Sequence, residues 1–399
     1  MMQKFRLEAG IAAAALVFCT ASPAQDVPGQ RFSFSADKLA APYATPGVDN
    51  HSDVIARPAN ALPEVPKGFT IEAYVTGLQN PRFMALAPDG DVFVTEASAN
   101  KVTRIYDGRA STYATRFHSP SGIAFHDGAL YVGDLVAVWR IAYKPGEATA
   151  GRRTRLTRDS FGGTSGHGTR DIAFGPDGTL YLAIGSADNV GEDPPPRATV
   201  QTVDADGHLR TFASGTRNPV GIAAEPGTDT LFVTVNERDG LGDELPPDYF
   251  SSVHRDDFFG WPYAYLGPHP DPEFGPKRRD LVAKTRVPDV LFHAHSAPLG
   301  FAFYEGAQFP AEYKGNAFVA LHGSWDAAKP QGFKVVRIRF AAGKPENAYE
   351  NFVTGFWAGG TTPPKVWGRP CGILVDKDGS LLIADDVGKT IWRVRYTGP

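Results

Sequence analysis

Polar residues whose side chains could do chemistry stand directly before several short apolar runs of the sequence. His118, His167, Arg217 with its neighbour Asn218, and Arg369 occupy such places. An imidazole such as that of His167 titrates near neutral pH and suits general-base catalysis. Two guanidinium groups, from Arg217 and Arg369, would suit a small molecule that carries several negative charges. These residues are far apart in the chain, so the elements that carry them must bring them together.

A repeated pattern supplies those elements. Each copy has an apolar run, a turn and a second apolar run, as in Pro120–Phe125, Asp127-Gly128 and Leu130–Asp134. Asp-Gly between alternating apolar runs is typical of a β-hairpin. The six copies begin at residues 81, 120, 169, 219, 298 and 370.

The repeats predict an all-β fold, a six-bladed β-propeller. Several copies include a third apolar run, for example Ile391–Val394, and a unit of about 40 residues with three or four strands is typical of a propeller blade. Longer loops are expected at 238–295 and 341–368. Residues 69–75 are expected to pair with a strand at 390–396 and so to close the ring. An open sandwich is the alternative, but the six regular copies favour the propeller.

A propeller would place the polar residues named above in one site. The residues that precede the first strand of each blade lie at the same end of the central channel. His167, Arg217 and Arg369 are therefore expected to face one another around one channel mouth. The alternative is that each is a solvated loop residue, since loops are polar as well as functional.

Composition excludes several classes of protein. The 399 residues include 40 Lys and Arg against 44 Asp and Glu, and this balance argues against nucleic-acid binding. The 2 cysteines exclude a disulfide scaffold, a cysteine zinc site and an iron–sulfur cluster. The sequence has no Cys-x-x-Cys-His motif for a covalently attached haem.

Residues 1–24 are typical of a signal peptide. Lys4 and Arg6 precede an apolar run at 9–20, and the small residues of 22–24 suit a signal peptidase. We therefore expect cleavage after residue 24 and export to a periplasm. The apolar run is too short to cross a bilayer, so no stable membrane span is expected.

The rest of the chain divides into two parts. Residues 25–66 are rich in Pro and Ala, and we expect an irregular N-terminal segment that lies over the domain surface. Residues 67–399 are expected to form the propeller. Cys371 lies on an apolar repeat strand and is interpreted as a small core residue.

A resemblance to a known family rests on the motif around His167. Gly166-His167-Gly168-Thr169-Arg170-Asp171-Ile172-Ala173-Phe174-Gly175-Pro176-Asp177-Gly178 resembles the histidine motif of the PQQ-dependent glucose/sorbosone dehydrogenase family, the soluble quinoprotein sugar dehydrogenases. The other segments that resemble this family or its sorbosone-type branch are Arg217–Gly221, Asn236–Glu244, Phe259–Pro262, His322–Trp325 and Gly368–Pro370. The resemblance covers about residues 66–396 and also implies a six-bladed propeller.

The resemblance implies PQQ and calcium as cofactors. His167 matches the catalytic base, which takes the hydroxyl proton while the anomeric hydride moves to the quinone. Arg217, Asn218 and Arg369 match positions that contact PQQ, whose three carboxylates explain the need for cations. Oxygen ligands for calcium, which polarises the quinone in this family, would come from the acidic loop. The candidate side chains are Glu237, Asp239, Asp243 and Glu244. Backbone carbonyls are alternative ligands, and a solvated loop is the alternative interpretation of the acidic run.

The sequence departs from the family at the partner of the histidine. Some relatives place an Asp directly after the glycine that follows the second strand of this blade. Here Gly185 is followed by Ser186, and Asp188 comes two residues later. Asp188 is therefore the candidate for the group that orients His167.

A second departure follows the Ser-Trp motif. Relatives of the sorbosone type often have Asn-Arg after it, whereas this chain has Asp326 and Ala327, so Lys329 is the candidate replacement for the missing cation. Trp325 could stack on a planar cofactor, although a core or rim role is an equal alternative. His293 and His295 could line the mouth, but the sequence shows no third metal ligand for them.

These observations predict PQQ-dependent oxidation of a sugar or sugar-derived aldehyde, of the aldose or sorbosone type. Electrons would pass to an external acceptor, a quinone or a cytochrome, since no haem or flavin motif is present. One alternative is a calcium-dependent lactonase or other hydrolase. Another is a non-catalytic carbohydrate-binding propeller, which would tolerate the loss of His167.

Overall fold

The structure, a computed structural model, describes residues 26–398. The predicted signal peptide lies outside the described residues. The helices within the described part are α1 (Arg279–Val282) and three short 3-10 helices, Ala36–Lys38, Gly275–Lys277 and Ala311–Tyr313. The other regular elements described are β-strands, and the all-β prediction is confirmed. No helix in this part of the chain has the length and apolar character needed to cross a bilayer.

Three strands precede the repeats. They are β1 (Arg31–Phe32), β2 (Asp53–Val54) and β3 (Phe69–Thr76). The first three copies of the repeat then form three four-stranded antiparallel sheets. Sheet 1 contains β4 (Pro81–Leu86), β5 (Val92–Glu96), β6 (Lys101–Tyr106) and β7 (Arg109–Thr115). Sheet 2 contains β8 (Gly122–His126), β9 (Ala129–Gly133), β10 (Val138–Ala142) and β11 (Arg153–Arg155). Sheet 3 contains β12 (Ile172–Phe174), β13 (Leu180–Ile184), β14 (Thr199–Val203) and β15 (Leu209–Ser214).

The last three copies form sheets of four or five strands, with small hairpins in their loops. Sheet 4 contains β16 (Asn218–Ala224), β17 (Leu231–Asn236), β18 (Pro247–Val253) and, after the hairpin β19 (Ala264–Tyr265) and β20 (His269–Pro270), β21 (Val290–Ala294). Sheet 5 contains β22 (Pro298–Phe303), β23 (Ala317–Leu321), β24 (Lys334–Ile338) and the strand β27 (Tyr349–Val353), with β1 at its edge. A separate hairpin of β25 (Phe340–Ala341) and β26 (Lys344–Pro345) lies between β24 and β27 in the chain. A small sheet joins β2 to β28 (Trp357–Gly359) and β29 (Lys365–Val366). Sheet 6 contains β30 (Pro370–Val375), β31 (Leu381–Asp385), β32 (Thr390–Tyr396) and β3.

Local sequence explains why each copy folds as a hairpin. At the turn between β8 and β9, Asp127 and Gly128 have φ angles of 40° and 65°. This left-handed pair gives the twist that a two-residue hairpin needs, and Asp-Gly tolerates it well.

The first strands of the six sheets contact one another in cyclic order, from β4 through β8, β12, β16 and β22 to β30 and back to β4. A glycine near the start of several copies permits this approach. A Cβ at Gly122 would lie 2.2 Å from the carbonyl oxygen of Arg170 in the next sheet, and one at Gly372 would lie 2.2 Å from that of Arg82. A side chain at either position would separate neighbouring first strands, and these strands carry the site.

The two ends of the repeat region meet in sheet 6. Antiparallel pairing between β3 and β32 runs from Phe69 opposite Tyr396 to Thr76 opposite Thr390. The prediction that 69–75 pairs with the strand at 390–396 is confirmed.

Residues 26–66 pair with sheet 5 and with the small sheet, and they reach the loops of the site. β1 pairs with β27, and β2 runs parallel to β29. The backbone N–H of Asn50 donates to the carbonyl oxygen of Trp325 at 2.7 Å, and its side-chain amide donates to that of Ala327 at 2.8 Å. These bonds fix the N-terminal segment beside the loop that follows β23.

Candidate functional site

A cavity of about 660 Å³ lies where loops before the first strands meet loops that follow the second strands. Eight residues offered as candidates from the sequence line it: His167, Arg217, Asn218, Glu237, Asp239, His295, Trp325 and Arg369. Residues that the sequence prediction did not assign to the site also line it, among them His51, Arg82, Asp248, His322 and Asp326. The cavity is thus built from several sheets.

His167 precedes β12 and presents a neutral imidazole to the cavity. Its Nδ1 lies 3.0 Å from both the carbonyl oxygen and Oγ of Ser186. Burial, followed by the nearby charge of Arg217, lowers the pKa of His167 to about 3. The Ser186 hydroxyl already donates to the carbonyl oxygen of Asp188 at 2.6 Å, so Nδ1 carries the hydrogen and donates. The free lone pair is then on Nε2, as a base that faces the cavity requires.

Ser186, rather than Asp188, therefore contacts His167. Asp188 takes part through its backbone carbonyl, which fixes the Ser186 hydroxyl, and its side chain is not among the residues that line the cavity. Gly185 explains the closeness of the contact, because a Cβ there would lie 2.6 Å from Cβ of His167.

The cationic wall of the cavity consists of Arg82, His322 and Arg369, which come from sheets 1, 5 and 6. Asp386, just behind it, accepts from Nη1 of Arg82 at 2.8 Å and lies 3.0 Å from Nε2 of His322. Burial alone would raise the pKa of Asp386, but His322 and Arg82 hold it well below its ordinary value. Burial and Arg369 lower the pKa of His322 to about 4. Asp386 thus holds the wall in place as a carboxylate.

The two guanidinium groups of this wall keep donors for a ligand. Arg369 donates through Nε and Nη2 to the carbonyl oxygens of His322 and Gly323. Among the described residues, no protein acceptor is bonded to its Nη1, or to Nε and Nη2 of Arg82. Both side chains can therefore donate to an anion in the cavity.

Arg217 has a different role from the one predicted. Its Nε and Nη2 donate to the carbonyl oxygen and Oδ1 of Asn189, Nη1 donates to the carbonyl oxygen of Glu237 at 2.6 Å, and Nη2 also reaches Oδ2 of Asp239 at 3.0 Å. Its donors are thus used by the protein. Arg217 contributes charge to the cavity and holds the acidic loop in place. The paired guanidinium donors predicted from Arg217 and Arg369 come instead from Arg82 and Arg369.

Sequence alone gave only a weak signal for Arg82. It occupies the second position of the first repeat copy, where later copies have Ser121, Arg170, Val220, Leu299 and Cys371. Arg170 of the third copy does not line the cavity, so a charge at this position does not by itself mark a site residue. Asn218 lines the cavity, and its Oδ1 is buried without a hydrogen-bond partner in the described structure.

The acidic wall consists of Glu237, Asp239, Asp248 and Asp326, which come from sheets 4 and 5. The backbone N–H of Glu237 donates to Oδ1 of Asp248 at 2.8 Å, and Oε1 of Glu237 has no hydrogen-bond partner in the described structure. Burial raises the pKa of Glu237 to about 8, that of Asp248 to about 7 and that of Asp239 to about 6. Such carboxylates favour a proton or a bound cation.

Two predicted metal ligands lie outside this wall. Asp243 accepts from the backbone N–H of Ala328 at 2.6 Å, and Oε2 of the half-exposed Glu244 lies 3.3 Å from Nε2 of His293. Neither residue lines the cavity. The acidic loop turns after Asp239, so its second pair of acids ties neighbouring loops together instead.

His295 completes the acidic wall. Its Nδ1 lies 2.8 Å from Oδ2 of Asp326, and its Nε2 lies 3.0 Å from the carbonyl oxygen of Gly242. Burial would lower the pKa of His295, but Asp326 raises it to about 9. Ligand atoms of Asp239, His295 and Asp326 all lie within 4.8 Å of one another. Asp239 and Asp326 are thus the neighbouring candidate ligands that the sequence did not show for His295.

An aromatic pair forms another part of the lining. Trp325 is 40% exposed and stacks on His51 of the N-terminal segment, with ring centroids 5.2 Å apart and planes 20° apart. Lys329, the predicted replacement cation, is not among the lining residues, and neither is His118. The additional cation at the site is Arg82.

Comparisons with known proteins agree with this fold. The family described as TrAA12-like matches residues 63–256 and 277–397, and the family described as Glucose / Sorbosone dehydrogenase matches residues 191–326. A pyrroloquinoline quinone-dependent pyranose dehydrogenase of Coprinopsis cinerea is 26% identical over 333 residues, which cover 69% of this chain and 44% of that protein. The chain thus spans less than half the length of this relative.

Solved structures share the fold. The holo form of the pyranose dehydrogenase PQQ domain from Coprinopsis cinerea has a TM-score of 0.70 at 21% identity, over 86% of this chain and 100% of that one. The calcium structure of the Trichoderma reesei protein of carbohydrate-active enzyme family AA12 has a TM-score of 0.70 at 20% identity, over 87% and 99%.

The matches place the chain among the relatives of the soluble quinoprotein sugar dehydrogenases, and the resemblance noted in the sequence is confirmed. Because the TrAA12-like match covers more than half of its residues, the chain belongs to the TrAA12-like family.

Proposed function

We propose that this protein is a PQQ-dependent dehydrogenase that oxidises a sugar or a sugar-derived aldehyde. The observation that carries the proposal is the cationic wall, where Arg82 and Arg369 keep guanidinium donors directed to a cavity that also holds the neutral base His167. The scaffold is a six-bladed β-propeller, supported by six sheets whose first strands contact in a closed cycle.

The residues of the cavity fit PQQ. Its volume of about 660 Å³ is within the range of about 300–1,000 Å³ for small-molecule sites. Arg82 and Arg369 would bind the carboxylates by charge-assisted hydrogen bonds, and Asn218 offers a buried amide oxygen that has no protein partner. Trp325 is placed at the edge of the cavity, where its ring could bound a planar ligand.

The acidic wall fits calcium beside that ligand. Glu237 is 3% exposed, and its Oε1 lacks a hydrogen-bond partner in the described structure. A buried carboxylate oxygen of this kind is a suitable ligand for a hard cation. Of the four side chains predicted as calcium ligands, Glu237 and Asp239 line the cavity, and Asp243 and Glu244 do not.

His167 would act as the base. PQQ, when bound, supplies the acceptor for the hydride of the sugar. Nε2 of His167 would take the proton of the anomeric hydroxyl, because Nδ1–H is held by Ser186. Burial of His167 and the nearby charge of Arg217 would keep the imidazole neutral before the reaction. The cationic wall would thus bind the anion, and His167 would remove the proton.

The electrons would pass to an external acceptor, a quinone or a cytochrome, and the sugar would be an aldose or sorbosone. We also propose export to a periplasm, supported by the basic start, apolar run and small residues of positions 1–24. Cell fractionation and N-terminal sequencing of the mature protein would test the export.

An absorbance titration tests the function directly. PQQ and calcium are added to the purified protein, and a bound quinone spectrum that aldoses or sorbosone reduce is expected. Absence of binding at micromolar PQQ would overturn the proposal. PQQ binding without reduction by any sugar of the panel would instead favour a binding protein, and lactone hydrolysis without PQQ would favour the hydrolase alternative.

A further inference from the structure

His295 and Asp326, which the proposed reaction does not use, form an arrangement with Asp239, a candidate calcium ligand. Asp239 lies in the loop after β17, His295 follows β21 and Asp326 lies in the loop after β23. One ligand atom from each lies within 4.8 Å of the other two. Two carboxylates and one imidazole from three separate loops thus converge on one point.

The orientation of His295 is set by a backbone carbonyl. Its Nε2 lies 3.0 Å from the oxygen of Gly242, which can only accept, so Nε2 carries a hydrogen and donates. Nδ1 is therefore the nitrogen that faces Asp326, 2.8 Å from its Oδ2. Metal-binding histidines are commonly held in this way, with the second ring nitrogen donating to a carbonyl.

Asp326 directs a buried oxygen into the cluster. The residue is 6% exposed, and its Oδ2 lies 2.8 Å from Nδ1 of His295 and has no other partner in the described structure. Asp239 contacts Arg217 through Oδ2, which leaves its Oδ1 for another partner. A buried carboxylate beside a second one is costly unless cations neutralise both.

The cluster is also open to further ligands. It borders the cavity of about 660 Å³ and a second cavity of about 430 Å³, which the N-terminal segment lines with Gly47, Val48 and Asp49. Oxygen atoms of water or of a small molecule can therefore approach from either cavity. Three protein ligands with an open position are typical of reactive zinc sites, as opposed to closed structural ones.

We propose that Asp239, His295 and Asp326 bind a divalent metal ion of the zinc type, separately from calcium at Glu237. Imidazole nitrogen suits zinc and its neighbours in the transition series, whereas calcium takes oxygen ligands. Two carboxylates balance the charge of one divalent ion, and binding of that ion would displace the proton from Nδ1 of His295. The inference does not depend on PQQ or on sugar oxidation.

Isothermal titration calorimetry tests the site. Chelator-treated full-length protein is titrated with ZnCl2 in saturating CaCl2, and one zinc ion per chain is expected. Asp326→Asn keeps the shape of the side chain and should lower zinc affinity by more than about 100-fold, beyond the usual effect of losing a supporting contact. His295→Ala should do the same. Cobalt(II) in place of zinc should give visible absorption bands that change in both variants.

His293→Ala is the matched control, because His293 also pairs with a carboxylate, that of Glu244, but belongs to no three-ligand cluster among residues 26–398. It should bind zinc as the unaltered protein does, and circular dichroism should show that all variants are folded. If His295→Ala does not fold, Asp326→Asn decides the test. No zinc binding by the unaltered protein, full displacement by calcium, or equal losses in His293→Ala and His295→Ala would overturn the inference.

Discussion

The buried charges of the cationic wall and those of the acidic wall are neutralised in different ways. On the cationic wall, Asp386 pairs with Arg82 and lies against His322, and its pKa is held below the ordinary range. On the acidic wall, burial outweighs the available cations, and the pKa values of Glu237 and Asp248 are raised to about 8 and about 7. The cationic wall is therefore organised before a ligand binds, whereas the acidic wall favours binding of a proton or a metal ion.

The difference assigns separate roles to the two walls. Arg82 and Arg369 are held by protein acceptors and keep further donors for an anion, so the anion meets an organised surface. The acidic wall gains stability only when a cation binds, because a partly satisfied set of buried carboxylates is costly. Anion recognition should therefore depend on single arginines, and cation binding should affect the stability of the fold.

The largest expected effect concerns His167, which lies near Arg217 where the two walls meet. His167→Ala should bind PQQ nearly normally and lose turnover by about 10²–10⁴-fold, the scale for a positioned base. Single-turnover reduction of bound quinone by sugar measures this. In the unaltered enzyme, the acid limb of kcat/KM should lie well below pH 6.5, since the pKa of His167 is about 3. His118→Ala is the control, and near-normal turnover in His167→Ala would contradict the assignment.

Substitutions in the cationic wall should come next. Arg82→Ala and Arg369→Ala each remove a charge-assisted contact, which is worth about 1.5–3 kcal/mol, or roughly 10- to 150-fold in affinity for PQQ. Fluorescence or absorbance titration with PQQ measures the change. Lys329→Ala should bind PQQ like the unaltered protein, because Lys329 does not line the cavity. A larger loss in Lys329→Ala than in Arg82→Ala would show that the wall is assigned wrongly.

Ser186→Ala should have a moderate effect on the same reaction. The backbone carbonyl of residue 186 still accepts from Nδ1 of His167, so only the hydroxyl contact is lost. We expect kcat to fall by about 2- to 10-fold, the equivalent of one neutral hydrogen bond, with PQQ affinity unchanged. Ser186→Thr, which restores a hydroxyl, should recover part of the rate. A fall in PQQ affinity rather than in kcat would argue against an orienting role.

The smallest expected effect concerns stability and pH. Because the pKa of Glu237 is raised in the folded state, that state binds more protons than the unfolded chain between about pH 4 and pH 8. The free energy of unfolding should therefore fall as pH rises through this window. His167 and His322 act in the opposite direction, but only below about pH 6.5, because their folded pKa values are lowered.

Thermal unfolding in chelator at pH values above 6.5 avoids the opposing contributions of His167 and His322. Glu237→Gln removes a titrating group, so its Tm should fall less with rising pH than that of the unaltered protein. Added calcium should likewise flatten the profile of the unaltered protein, since the cation replaces the proton. Parallel profiles for the two proteins in chelator would mean that the wall does not titrate as inferred.

The repeat pattern made the fold predictable, because each copy encodes its hairpin locally. Observed first strands begin at or within three residues of the predicted copies, and Asp127-Gly128 forms the expected turn. Site residues at those strand starts, such as His167 and Arg369, were predictable for the same reason.

The remaining site residues depend on loop paths that local spacing does not encode. Asp243 and Glu244 follow Asp239 closely in sequence, yet the turn at Gly240 to Gly242 directs them away from the cavity. Asp326 reaches the site from another sheet, and its partner His295 was visible in sequence only as half of a His-x-His pair. Contacts between distant loops are a property of the assembled ring.

The pairing of β3 with β32 has a consequence for synthesis of the protein. Sheet 6 contains one of the first strands of the repeat region to leave the ribosome and the very last one, since Phe69 pairs with Tyr396. While translation continues, β3 has no partner, and sheets 1 and 5 each lack a neighbour. Such a chain exposes an unpaired strand edge until β32 emerges, which is the condition under which chaperones are needed. A truncation of even the last strand would leave a ring that cannot close.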